Sequence, residues 1–136
     1  MDFYIKTKVF ARLAKQANIK DENLIEAIKE IKKGLVDANL GGNVYKKRIA
    51  VGNRGKSSGS RTIIATNLND RWFFVFCYLK KDLENISEKD LNSFKYLSKV
   101  LLSLSEDEII KAVSLKKMEI INDKKDWSYW RSFGNY

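Results

Sequence analysis

Residues 44–80 read VYKKRIAVGNRGKSSGSRTIIATNLNDRWFFVFCYLK, and their reading decides the fold. Three runs, Val44 to Val51, Arg61 to Thr66 and Arg71 to Lys80, are rich in the β-branched and aromatic residues that suit a pleated, half-buried surface. GNRGKSSGS at 52–60 joins the first two runs, and NLND at 67–70 joins the last two. Successive strands with short connections predict an antiparallel meander. Alternation places Val44, Lys46, Arg48 and Ala50 on one face of the first strand, and Tyr45, Lys47, Ile49 and Val51 on the other. In the third strand Trp72, Phe74, Phe76, Tyr78 and Lys80 share a face, opposite Phe73, Val75, Cys77 and Leu79. Both faces are mostly apolar, so this is expected to be the central strand, with function emerging only at Tyr78 and Lys80 near its end.

Helical patterns flank the meander. Before it, Phe3 to Ile5 read as a short first strand, and Thr7 is a plausible N-cap for Val9, Phe10, Leu13 and Ala14 at helical spacing. A second helix opens near Asp21 and aligns Leu24, Ile25, Ile28, Ile31 and Leu35; Gly34 and Gly41–Gly42 mark its end and the following turn. After the meander, Ser87 with Asp90 and Ser105 with Glu108 resemble capping boxes. They open helices striped by Leu91, Phe94, Leu97, Leu101 and Leu104, and by Ile109, Ile110 and Val113. MEII at 118–121 suits a last edge strand. The pattern predicts an α+β fold of order β-α-α-β-β-β-α-α-β, with helices packed on one face of a small antiparallel sheet.

Composition narrows the chemistry. The chain has 136 residues, 44% hydrophobic and 32% charged, which suits one domain with an ordinary core. It contains no proline and a single cysteine, Cys77, so an intrachain disulfide is excluded. It contains no histidine, which removes the imidazole base and the Ser–His and Cys–His forms of catalysis, and leaves zinc without its usual ligands. The opening MDFYIKTKVF lacks the apolar core of a signal peptide, and no stretch approaches the ~20 apolar residues of a membrane span. A cytoplasmic protein without a membrane partner is the expectation.

The net charge is +9, and its distribution says more than its size. Between Ala38 and Asn69 stand six bases, Lys46, Lys47, Arg48, Arg54, Lys56 and Arg61, and not one acid. A one-signed patch attracts polyanions, which makes RNA or DNA the leading ligand class. GKS at 55–57 is not a Walker loop: Ala50 occupies the position of the first glycine, and a strand pattern follows where a helix is required. A basic hairpin loop that touches phosphates fits the same residues better. Cleavage of RNA by its own 2′-hydroxyl needs deprotonation, in-line geometry and stabilisation of the extra negative charge at phosphorus, and arginine and lysine supply the last directly. A lysine crowded by other cations gives up its proton more readily, so Lys46 or Lys47 beside Arg48 is a candidate base, or donor to the leaving 5′-oxygen. Such a site needs no metal or cofactor. Without histidine it also needs the RNA to be held in cleavable geometry by something else.

Three blocks, FYIKTKVFARLAKQANI at 3–19, GLVDANLGGNVYKKRIAVGNRGKSSGSRTIIA at 34–65 and RWFFVFCYLKKDLENI at 71–86, resemble the RelE/HigB superfamily of bacterial toxins in order and spacing. The resemblance covers about residues 3 to 120 and implies a toxin domain at 1–121 followed by an aromatic extension at 122–136. It implies a RelE-like fold and a metal-independent endoribonuclease that cuts mRNA, usually in the ribosome. It also implies an antitoxin partner, often a helix-turn-helix DNA-binding protein. Carried over residue by residue, it suggests Lys47, Arg48, Arg61 and Lys80 as catalytic, with Arg61 of the RT motif on the scissile phosphate. Lys46, Arg54, Lys56, Tyr78 and Lys81 are suggested as RNA-binding. The chain departs from the pattern at Leu83, where many relatives carry a base. It departs again in the tail NDKKDWSYWRSFGNY, where Trp127, Trp130 and Phe133 are spaced for a packed helical face. On the residues alone, two other classes stay open: a nucleic-acid-binding module without catalysis, and a toxin of the same fold with a non-ribosomal target such as gyrase.

Overall fold

The structure is a computed structural model and describes residues 2–51, 59–80 and 86–121. The elements run β1 (Phe3–Thr7), α1 (Lys8–Gln16), α2 (Asp21–Lys32), β2 (Ala38–Gly41), β3 (Val44–Ile49), β4 (Ser60–Thr66), β5 (Arg71–Leu79), α3 (Glu88–Leu102), α4 (Glu106–Ser114) and β6 (Met118–Ile120). They form one six-stranded sheet of order β2-β3-β4-β5-β1-β6. The expected α+β class and central meander hold. One strand, β2, was not foreseen: its four residues form a hairpin with β3. The sheet is also not wholly antiparallel, because β1 lies parallel to β5.

Caps set the helix starts where the sequence placed them. The Thr7 hydroxyl accepts from the Phe10 N–H (3.2 Å), and the Ser87 hydroxyl from the Asp90 N–H (3.1 Å). Ser105 and Glu108 exchange bonds as a full capping box, which holds the Glu108 carboxyl below its ordinary range. Gly41 and Gly42 turn β2 into β3 with φ of +85° and +59°, a region that costs L-residues energy. Gly42 has a second reason to be glycine, since a Cβ there would lie 3.0 Å from the Lys95 Cγ of α3. Gly42→Ala should lower stability by about 1–2 kcal/mol, checked by urea unfolding.

The helices do not share one face, which corrects the expected layering. α1 and α2 contribute Phe10, Ala14, Leu24, Ile28 and Ile31 to a core with Ile49, Ile64, Trp72, Phe74 and Cys77. α3 and α4 contribute Leu101 and Ile109 to a second core with Phe3, Ile5, Val44, Ile63, Ala65, Phe73 and Val75. The physical reason is the one visible in β5, whose two faces are both apolar: each demands a cover, and one helical layer supplies only one.

The parity of β5 also departs from strict alternation. Ile63 pairs with Phe76 but Ile64 pairs with Phe74, so Val75 is an extra residue in β5. Such a bulge reverses the faces beyond it. Trp72 and Phe74 look toward α1 and α2, and Cys77 joins them, whereas Phe76 and Tyr78 pack with the α3 and α4 side. The expected single row from Trp72 to Lys80 is thus two rows on opposite faces. Burial pushes the Cys77 thiol up to about 11 against a weaker bond to Ser60, so it remains a protonated core residue at neutral pH. Among the described residues no helix is long and apolar enough to cross a membrane.

Candidate active site

The sheet face under α3 and α4 is apolar at one end and basic at the other. Val44 pairs with Ala65 at the apolar end. At the other end Arg48 stands opposite Arg61, and Arg61 opposite Tyr78, in one row across β3, β4 and β5. Lys46 is two residues from Arg48 on the same strand, opposite Ile63. Asp37, Lys46, Arg48, Arg61, Tyr78 and Lys80 line a cleft of about 280 Å³. The structure therefore gathers Lys46, Arg48, Arg61, Tyr78 and Lys80, all selected from the sequence, around one space. The β5 bulge brings Tyr78 there, because unbroken alternation would keep it on the face of Trp72 and Phe74.

Directly opposed like charges in a sheet repel. The Arg48–Arg61 opposition therefore concentrates positive charge at one place in the sheet, where an anion is favoured. Arg61 is 9% exposed and donates from Nη1 to the Gly59 carbonyl at 3.1 Å. Its guanidinium is held close to the sheet, where water screens charge poorly. Burial raises the Tyr78 phenol above its ordinary value, and the nearby Arg61 charge opposes this only in part. Tyr78 is consequently a neutral hydroxyl at pH 7, able to donate a hydrogen bond to a phosphate or present its ring to a base.

Asp37 is the site residue that sequence reasoning missed. It precedes β2, and its backbone N–H donates to the Lys46 carbonyl (3.0 Å). Its Oδ1 accepts from Arg48 Nε at 2.8 Å, and its Oδ2 accepts from the Arg48 backbone N–H. Burial disfavours the carboxylate, but the Arg48 bonds and the Arg48 and Lys47 charges outweigh it and hold the carboxyl below its ordinary value. The sign follows: the stability of this pair is fully present above the ordinary carboxylate range and is lost as pH falls through the lowered value. A usable signal was present in the chain. Asp37 is the last acid before the acid-free stretch, and the turn at Gly41–Gly42 folds it back onto β3.

Lys47 does not join the cluster. Alternation turns it to the opposite face, where it is 5% exposed and its Nζ lies 2.8 Å from Glu30 Oε1 on α2. The KKR motif thus splits between two faces, as period-2 geometry requires. Arg54, Lys56 and Lys81 lie outside the described residues, as do Leu83, Trp127, Trp130 and Phe133.

A family model described as the RelE toxin of the RelE / RelB toxin-antitoxin system matches residues 3–121. No curated protein matches the chain.

Proposed function

Since the chain belongs to the RelE toxin family, we propose that it is a metal-independent endoribonuclease that cuts mRNA in the ribosome and so stops translation. The family membership makes it the toxin of a toxin–antitoxin system, with a cognate antitoxin as partner. The antitoxin is expected to carry a helix-turn-helix DNA-binding domain.

The observation that carries this reading is the cross-strand row of Arg48, Arg61 and Tyr78, flanked in one cleft by Lys46 and Lys80. Several cations and a neutral hydroxyl around one space suit a phosphate that gains negative charge. In the proposed reaction the 2′-oxygen bonds to phosphorus, the bond to the 5′-oxygen breaks, and a 2′,3′-cyclic phosphate remains on one fragment. The proton leaves the 2′-hydroxyl for a lysine amine or water, and the 5′-oxygen receives one in return. Arg61 and Arg48 bind the non-bridging oxygens as their charge grows. Lys80 serves at an end of the cleft, and Lys46 and Tyr78 hold the flanking nucleotide. The cleft presents no imidazole, so in-line alignment of the message must come from outside the protein, and the ribosomal decoding site supplies it.

Induced expression followed by primer extension on a translated message tests the proposal. In-frame cuts that disappear when translation is blocked are expected. Growth arrest with an intact message, or salt-sensitive RNA binding with no cleaved product, overturns it in favour of a non-ribosomal target or a pure binding module.

A further inference from the structure

The carboxylate that borders the acid-free stretch belongs to the lining of the basic cleft. On charge alone Asp37 is the wrong sign there, since it subtracts from the attraction for any anion that the cleft's four bases provide. Its contacts give it another role. Both oxygens engage a single residue, one at the Arg48 backbone and the other at Nε of the side chain. With both oxygens so occupied, Asp37 is poorly placed to take a proton from a 2′-hydroxyl.

We propose that Asp37 is a positioning residue that fixes the Arg48 guanidinium for contact with an RNA phosphate. The Arg48 side chain is 44% exposed, and an arginine at that exposure samples many rotamers, so immobilising it on a ligand costs entropy. The bond to Nε restricts those rotamers before any ligand arrives. Asp37 takes the Nε edge, which leaves the Nη1–Nη2 edge as the fork that matches two phosphate oxygens. The Asp37 N–H bond to the Lys46 carbonyl holds the carboxylate in place, so the clamp is built on the β2–β3 hairpin. Naming RNA phosphate as the anion rests on the endoribonuclease reading; the clamp itself does not.

A mutant cycle in which residue 48 keeps its charge separates positioning from charge. Wild type, D37N, R48K and the D37N/R48K double variant are compared for affinity toward a 2′-O-methyl RNA oligonucleotide at low salt, with thermal melts to establish folding. The oligonucleotide cannot be cut by 2′-attack. Lysine keeps the charge of Arg48 but has no Nε to hold. If Asp37 acts only through charge, D37N tightens binding by the same factor in both backgrounds. Positioning predicts weaker binding from D37N when Arg48 is present and tighter binding in the R48K background, a difference of about fivefold or more. Equal factors, or no binding by the wild type, overturn the assignment. Cleavage of a translated message by the same four proteins is scored separately. Coupled binding with an uncut message leaves the clamp standing and overturns the nuclease reading; cutting without coupled binding overturns the clamp alone.

Discussion

Arg61→Ala should reduce the rate of message cleavage by about 10²–10³-fold, the usual loss when one preorganised donor to a developing oxyanion is removed. Arg61 is central in the Arg48–Arg61–Tyr78 row, on the strand between the other two. Its burial places the charge where water screens it least. The effect should not arise from unfolding. Arg61→Ala also lowers the density of like charge where Arg48 and Arg61 oppose each other, against the loss of side-chain packing and of the bond to Gly59. Cleavage in a reconstituted translation reaction, set beside thermal melts of the same protein, checks both parts. Arg61→Lys should recover only part of the rate, because an ammonium keeps the charge but not the two-pronged fork. A variant with full cleavage would remove Arg61 from the reaction, and one that no longer folds would assign it a structural role.

The second large effect is on stability. Lys47→Ala should destabilise the fold by about 1–3 kcal/mol and leave cleavage per folded molecule unchanged. The lysine is almost fully buried, and Glu30 retains 18% side-chain exposure, so truncation removes a close counter-charge from a partly desolvated carboxylate. That residual exposure keeps the loss below the full cost of a wholly buried orphan charge. Replacing Lys47 and Glu30 together with methionine should return the protein to within about 1 kcal/mol of wild type, since the pair's desolvation then disappears with its attraction. Urea unfolding measures the first quantity and a cleavage assay the second. Loss of cleavage without loss of stability would return Lys47 to the catalytic group that its place in the KKR motif suggested.

Lys47 and Tyr78 show where local reading succeeds and where it ends. Alternation alone separates Lys47 from Lys46 and Arg48, and the structure obeys it, because β3 pairs with β4 without interruption from Val44 to Ile49. The same rule misplaces Tyr78, because β5 carries an extra residue at Val75. A bulge leaves little trace in composition: RWFFVFCYL is apolar in either parity, so both registers bury a comparable surface. Which register forms depends on the rings facing β5. Phe10 of α1 packs on Phe74 at 5.4 Å between ring centroids, and Phe94 of α3 packs on Phe76 at 5.5 Å. These partners lie 64 and 18 residues from the rings they meet, and on opposite sides of the sheet.

The sequence by itself determined the elements and the chemistry available to them. Strand runs, hydroxyl caps and glycine turns act within a few residues, and so does the exclusion of acids from residues 38–69, which fixes the sign of the site. Only the tertiary structure decided the two helical layers, the row that aligns Arg48, Arg61 and Tyr78, and the return of Asp37 onto Arg48. Each of these depends on which distant side chains share a face. That choice is set by the free energy of packing both sides of one sheet at once, which no local window contains.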